Sequence, residues 1–102
     1  MGTLRTDVCT LINETYEQND FGEFIPTETR REVICQVSSI TRTEFFDAGR
    51  SGLSPEKALT VFWLDYNGES TVEFHGQRYG IYRTYTPDEE SIELYLEKKA
   101  GA

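Results

Sequence analysis

Apolar residues recur at every second position through most of the chain, which is the period of a strand and not of a helix. Val8, Thr10 and Ile12 alternate with Cys9, Leu11 and Asn13, an amphipathic strand with both faces partly apolar. Asn19-Asp20-Phe21-Gly22 follows as turn chemistry: Asn and Asp side chains bond to nearby backbone, and Gly22 accepts positive φ. A second strand begins near Glu23. Val33, Cys35 and Val37 then line one face and Ile34, Gln36 and Ser38 the other, which predicts a half-buried strand from about Glu32 to Ile40.

Between Thr41 and Lys57 no period is usable, because Asp47, Ala48, Gly49, Arg50, Ser51, Gly52 and Ser54-Pro55 break it. This segment is expected to be one long loop, and a loop of that length in a small domain is usually functional or disordered. Ser54-Pro55-Glu56-Lys57 is the competing signal, a short helix with Ser at its N-cap and Pro in its first turn. The β-branched and aromatic run that follows predicts a strand from Leu59 to Asp65. Asn67-Gly68 is the strongest hairpin signal in the chain, since a type I′ turn needs positive φ at both central residues, and it joins that strand to Ser70 through Phe74. His75-Gly76-Gln77 makes another tight reversal, with His75 as a turn-flanking polar residue. Arg78 to Thr84 returns with Tyr79, Ile81 and Arg83 on one face, so the strands read as a meander.

The C-terminal region carries two conflicting signals. Thr86-Pro87-Asp88-Glu89 has the form of a helix start, but Ile92, Leu94 and Leu96 alternate strictly with Glu93, Tyr95 and Glu97, which selects a strand. About six short strands with tight turns predict an all-β fold, a small antiparallel β-barrel or sandwich whose closure hides its edges.

Composition narrows the chemistry. The chain has 102 residues, the size of one domain, and 37% hydrophobic residues, offset by 13% aromatics that each bury a large area. With 10 basic and 18 acidic residues its formal charge is −8, which argues against tight nucleic-acid binding, because each phosphate contact needs a cation. No apolar run suits a signal peptide or a membrane span, so a soluble, unexported protein is expected. Cys9 and Cys35 have neither a CxxC spacing nor histidine partners for zinc, and read as reduced, part-buried residues; a bridge between neighbouring strands is the alternative.

No catalytic constellation emerges. His75 is the only histidine, so neither a multi-histidine metal site nor a Cys/His/Asp triad is easily built. Gly49-Arg50-Ser51-Gly52 lacks the Walker spacing and its lysine, and Asp88-Glu89-Glu90 lacks the alternating ligands of a calcium loop and reads as a solvated turn. Among 18 acids some pair approaches by chance, so a glycosidase pair is a weak signal. Arg30-Arg31 is a small basic spot amid acid. Tyr79, Tyr82, Tyr85 and Tyr95 suit either a stacking platform or, more simply, core and interface.

Taken in order, the segments resemble one family, the head-tail joining proteins of tailed bacteriophages, also called head-completion or stopper proteins. The resemblance runs from Leu4-Arg5 through Glu97. It rests on the strand Val8 to Ile12 with the Asp20-Phe21-Gly22 turn and on Val33 to Val37 leading into Thr43-Glu44-Phe45-Phe46-Asp47-Ala48. The strand Leu59 to Tyr66, the hairpin Gly76-Gln77-Arg78-Tyr79-Gly80-Ile81 and the terminal Ile92-Glu93-Leu94-Tyr95-Leu96 complete it. The chain departs from the family where a tryptophan often precedes the Val33 strand, having Glu28-Thr29-Arg30-Arg31 there, and where the family's Gly-Arg-Glu loop start reads Thr41-Arg42-Thr43-Glu44.

The resemblance implies a non-enzymatic virion protein without cofactor or metal, a β-barrel subunit assembling as a ring beneath the portal and its adaptor. Such a ring completes the head, helps retain packaged DNA and docks the tail, with DNA passing and not binding tightly; the protein resides in the virion and, during assembly, in the host cytoplasm. The loop 41–57 falls where these proteins project a segment into the channel, which makes Arg42, Asp47, Gly49, Arg50, Ser51 and Gly52 candidate channel or gating residues. Gly49 and Gly52 would let that loop refold. Gly22, Asn67, Gly68 and Gly76 are the expected structural turns. The rival reading is a free-standing β-barrel binding module for a peptide or carbohydrate.

Overall fold

In the computed structural model, which describes residues 5–98, the alternating segments become six strands: β1 (Arg5–Gln18), β2 (Phe24–Ser38), β3 (Pro55–Phe62), β4 (Thr71–Phe74), β5 (Gln77–Tyr85) and β6 (Ser91–Lys98). All pair antiparallel, in the closed order β1-β2-β3-β6-β5-β4, with β4 returning to β1. The all-β barrel expected from the sequence is therefore present. Its interior is filled by the inward halves of the alternating patterns, with Leu11, Leu59, Val72, Leu94 and Leu96 fully buried and Phe74 and Tyr79 nearly so. Cys9 and Cys35 lie in this core as free thiols on adjacent strands, displaced diagonally because Cys9 faces Val33 and Cys35 faces Asp7.

Five local expectations are corrected. The strands do not form a simple meander, because β3 pairs with β2 and β6 and not with β4. The chain leaves β3 at Phe62, earlier than the expected Asp65, makes a 3₁₀ turn over Trp63–Asp65 and crosses the end of the barrel. There Trp63 N–H donates to the Glu90 carbonyl, 2.9 Å away, and ties the crossing to the start of β6.

Asn67-Gly68 is accordingly part of a crossing and not a type I′ hairpin. Gly68 has φ 84°, but His75, at φ 50°, is the one non-glycine residue with positive φ among the described residues. The two-residue type I′ turn sits instead at His75-Gly76, where Gly76 has φ 78° and β4 reverses directly into β5. His75 holds the turn to β1, its Nε2 lying 2.8 Å from Asp7 Oδ2.

The expected loop 41–57 contains a helix and the start of a strand. Helix α1 spans Arg42–Arg50, and Pro55 opens β3, a strand position where a missing N–H is easily tolerated. The expected common face of Tyr79, Ile81 and Arg83 is also broken: the β5–β6 register slips between Ile81 and Arg83. Tyr79 and Ile81 pack on the core while Arg83 is exposed. At the C-terminal turn the strand reading prevails, because Asp88 accepts the N–H groups of Glu90 and Ser91, each at 2.8 Å, and starts β6 instead of a helix.

Candidate functional site

Helix α1 is punctuated at both ends. Thr41 is its N-cap, and its hydroxyl accepts the Glu44 N–H at 3.1 Å. At the other end Leu53 N–H donates to the Ala48 carbonyl and Gly52 N–H to the Gly49 carbonyl, with Gly52 at φ 82°. That pair of bonds is a Schellman cap. Gly52 thus ends a helix and does not serve as the hinge of an open loop, and Ser51 is the C-cap residue. The overlooked signal is Thr41-x-x-Glu44 followed by Arg50 in the last turn and glycine at position 52.

One face of α1 is fastened to the barrel. Ala48 is buried. The Glu44 carboxylate accepts two bonds from Arg83, at 2.5 and 3.3 Å, and one from the Tyr82 hydroxyl at 2.7 Å. Consecutive strand residues normally point to opposite faces, so a shared partner is possible because of the irregular register at Tyr82. The Arg83 guanidinium holds the Glu44 carboxyl below the usual carboxylate range, and burial, with the bond to Glu44, pushes the Tyr82 hydroxyl up. Arg83 also lies 4.0 Å over the Tyr95 ring, and Tyr82 packs 6.3 Å from it. The four tyrosines considered as a platform are therefore divided: Tyr79 is in the core, Tyr82 and Tyr95 flank the anchor of α1, and Tyr85 is exposed.

The opposite face of α1 is open. Arg42, Phe45, Phe46, Gly49 and Arg50 follow the i, i+3, i+4, i+7, i+8 spacing of a single helical stripe, and all five are exposed. Phe45 and Phe46 meet edge to face at 5.9 Å. Asp47 is exposed beside the stripe, 3.8 Å from Arg50. The sequence-predicted residues thus converge on one short helix and its cap, although as a rigid element and not as a loop.

A second exposed element was not anticipated. β1 and β2 pair continuously from Arg5↔Val37 to Gln18↔Phe24, yet β4 covers only Thr10–Ile12 of β1 and β3 only Cys35–Ser38 of β2. Beyond those limits the hairpin continues as a two-stranded arm, which accounts for a longest dimension of 56 Å against 30 and 25 Å. The arm exposes Tyr16, Phe24, Ile25 and, at 87%, Phe21. Its tip is well fixed. Asn19 Oδ1 accepts the N–H groups of Phe21 and Glu23, both at 2.9 Å, Gly22 takes φ 81°, and Gln18 donates to the Gly22 carbonyl. At the arm's root Arg78 bridges Glu28 at 2.9 Å and Glu14 at 3.7 Å.

A third feature is a surface groove of about 410 Å³ beside the β3–β4 crossing, bordered by Ile34, Phe62, Asp65 and Glu90. Trp63 and Leu64 are exposed in the same 3₁₀ turn. Among the described residues no cluster of three or more His, Cys, Asp or Glu side chains is arranged to hold a metal ion. In comparisons with known proteins, no family model and no curated protein matches the chain.

Proposed function

We propose that this chain is a structural subunit of a tailed-phage head-tail connector. In this reading it forms a ring below the portal and adaptor that completes the head, helps retain packaged DNA and docks the tail. The observation that carries the reading is the arm. An isolated two-stranded ribbon is marginal in water, and exposing Tyr16, Phe21, Phe24 and Ile25 at its end is costly unless they meet another surface. Such an extension suits a subunit that meets a neighbour through it. The net charge of −8 supports the same reading, because an acidic wall lets DNA pass without adhering, repelling phosphates over about a Debye length, ~8 Å at physiological salt. The ordered resemblance along the chain supplies the specific class.

Native mass spectrometry of the full chain with the portal and adaptor proteins encoded beside it tests the proposal. A stoichiometric complex that depends on the arm is expected; absence of any association overturns it. The groove bordered by Phe62 and Asp65, the residues on either side of the exposed Trp63-Leu64 pair, favours the second reading, a binding module for a peptide or carbohydrate. In that case oligosaccharides or peptides quench Trp63 fluorescence at low concentration, and the connector proteins do not bind.

A further inference from the structure

The tip of the arm and the open face of α1 are complementary in charge and alike in aromatic character. Residues 13–29 contain Glu14, Glu17, Asp20, Glu23 and Glu28 and no lysine or arginine. Glu14 and Glu28 face Arg78 at the root. Glu17, Asp20 and Glu23 are exposed around Phe21 and Phe24 and have no ion-pair partner among the described residues. On α1 the exposed charges run the other way, Arg42 and Arg50 against the single exposed acid Asp47. Arg42 has no ion-pair partner among the described residues, Arg50 has only a 3.8 Å contact with its own helix, and the two flank Phe45 and Phe46. By contrast Arg30, Arg31, Arg78 and Arg83 are each matched to a carboxylate within 3 Å.

These two surfaces lie at opposite ends of one strand. β2 starts in the arm at Phe24 and ends at Ser38, just before α1, and 15 residues of strand span roughly 50 Å. They are too far apart to meet within one molecule. We propose that the arm of one copy docks on the α1 stripe of a second copy, placing Glu17, Asp20 and Glu23 against Arg42 and Arg50 and the arm aromatics against Phe45 and Phe46. Such a contact is heterologous, so it repeats from copy to copy and closes into a ring when the rotation per copy allows. Aromatic and arginine side chains are the types enriched in protein interfaces. The inference rests on the reading of this chain as an assembly subunit and names the surface through which copies meet. DNA is the other conceivable partner of two arginines, but an exposed Phe pair matches an acidic, aromatic arm better than a phosphate backbone.

A charge swap tests the contact in the full-length chain. One variant carries Glu17→Lys and Glu23→Lys, the other Arg42→Glu and Arg50→Glu; all four positions are exposed, and circular dichroism verifies folding. Sedimentation velocity up to millimolar concentration is expected to show wild-type self-association, weakened about tenfold or more in each variant alone. An equimolar mixture of the two variants is expected to associate again, because every arm then faces an oppositely charged helix. A monomeric wild type, variants that associate as well as wild type, or a mixture that stays dissociated overturns the contact. So does binding of labelled duplex DNA that requires Arg42 and Arg50 in a chain that does not self-associate. The connector reading is separable. If copies associate by this contact but ignore the portal and adaptor, that reading fails and the contact stands. If both charge variants still self-associate and still join the connector, the contact fails and that reading stands.

Discussion

Arg31 and Glu69 are 38 residues apart in sequence, yet their side chains form a 2.9 Å ion pair at the end of the barrel crossed by the β3–β4 connection. Arg31 faces Leu11 across β1–β2, so its side chain leaves from the inner surface and reaches out through the barrel mouth. A second guanidinium N–H donates to the Asp65 carbonyl. Glu69 is buried and also accepts the Asn67 N–H at 2.7 Å, while the Tyr66 hydroxyl donates to the Glu69 carbonyl. These bonds explain why residues 63–70 cap the barrel instead of turning back as a hairpin.

Glu69→Gln is therefore expected to lower stability by about 2 kcal/mol, since it leaves Arg31 without its countercharge at a partly buried site. Burial by itself would raise the Glu69 carboxyl, but Arg31 and the backbone N–H groups outweigh it and hold the carboxyl below its ordinary value of 4.5. A depressed folded-state value means that the stabilisation is fully present above the ordinary value and is lost as pH falls through the folded one. Thermal melts of the wild type should fall as pH drops below about 4.5, and part of that slope should vanish in Glu69→Gln.

The position of the type I′ turn gives a second test. Gly76→Ala is expected to cost about 1 to 2 kcal/mol, because alanine at φ 78° is strained although space is open around it. Asn67→Ala should change stability by less than about 0.5 kcal/mol, since its backbone φ is not positive and its N–H bond to Glu69 survives. Equal losses at the two positions in urea melts would mean that the tight turn lies at Asn67-Gly68 after all.

That exchange of turns shows where the sequence was readable. The alternation in Val33-Cys35-Val37 and Ile92-Leu94-Leu96 is imposed by the barrel interior, so strands, closure and core followed from the pattern. Asn67-Gly68 misled because local turn preference yielded to burial of Tyr66 and Glu69 across the barrel mouth. Helix α1 was hidden because it has one buried residue, Ala48, and its hold on the barrel comes from Glu44 meeting Arg83, a pairing that only the folded register creates. The arm was invisible as an arm: its turn at Asn19–Gly22 was legible, but the length of pairing beyond β3 and β4 is a property of register and not of composition.

Glu44→Ala should release α1 without unfolding the barrel. The substitution removes three bonds that tie the helix to β5. Hydrogen exchange is expected to accelerate by tenfold or more, about 1.4 kcal/mol of local opening, across residues 42–50, and to stay slow in β1, β3 and β6. Because Arg83 holds the Glu44 carboxyl low, the wild-type helix should show the same release as pH falls below the ordinary carboxylate value, and not at alkaline pH.

Asp47 tests the acidic wall. It is exposed on α1 and bears only the long contact to Arg50, so replacing it leaves the fold unchanged. In a connector Asp47→Lys is expected to slow DNA ejection from assembled particles, because it removes a repelling charge and adds an attracting one. Ejection at the wild-type rate would mean that the net acidity of the chain serves solubility alone.

Removing the arm separates folding from assembly. The buried hydrophobic residues of β1 end at Ile12 and those of β2 begin at Val33, so residues 15–27 supply none of them. Deleting residues 15–27 and joining Glu14 to Glu28 through Asn-Gly, a pair suited to a two-residue hairpin, should keep the barrel within about 1 kcal/mol of wild-type stability in urea melts. The loss is expected elsewhere: the exposed Tyr16, Phe21, Phe24 and Ile25 go with the arm, and with them the apolar surface proposed to engage neighbouring subunits. The shortened chain should be more soluble, remain monomeric at high concentration and fail to complete heads that retain DNA. If heads lacking the arm hold their DNA and take tails normally, the arm is not the assembly surface and the proposed connector role loses the observation that carries it.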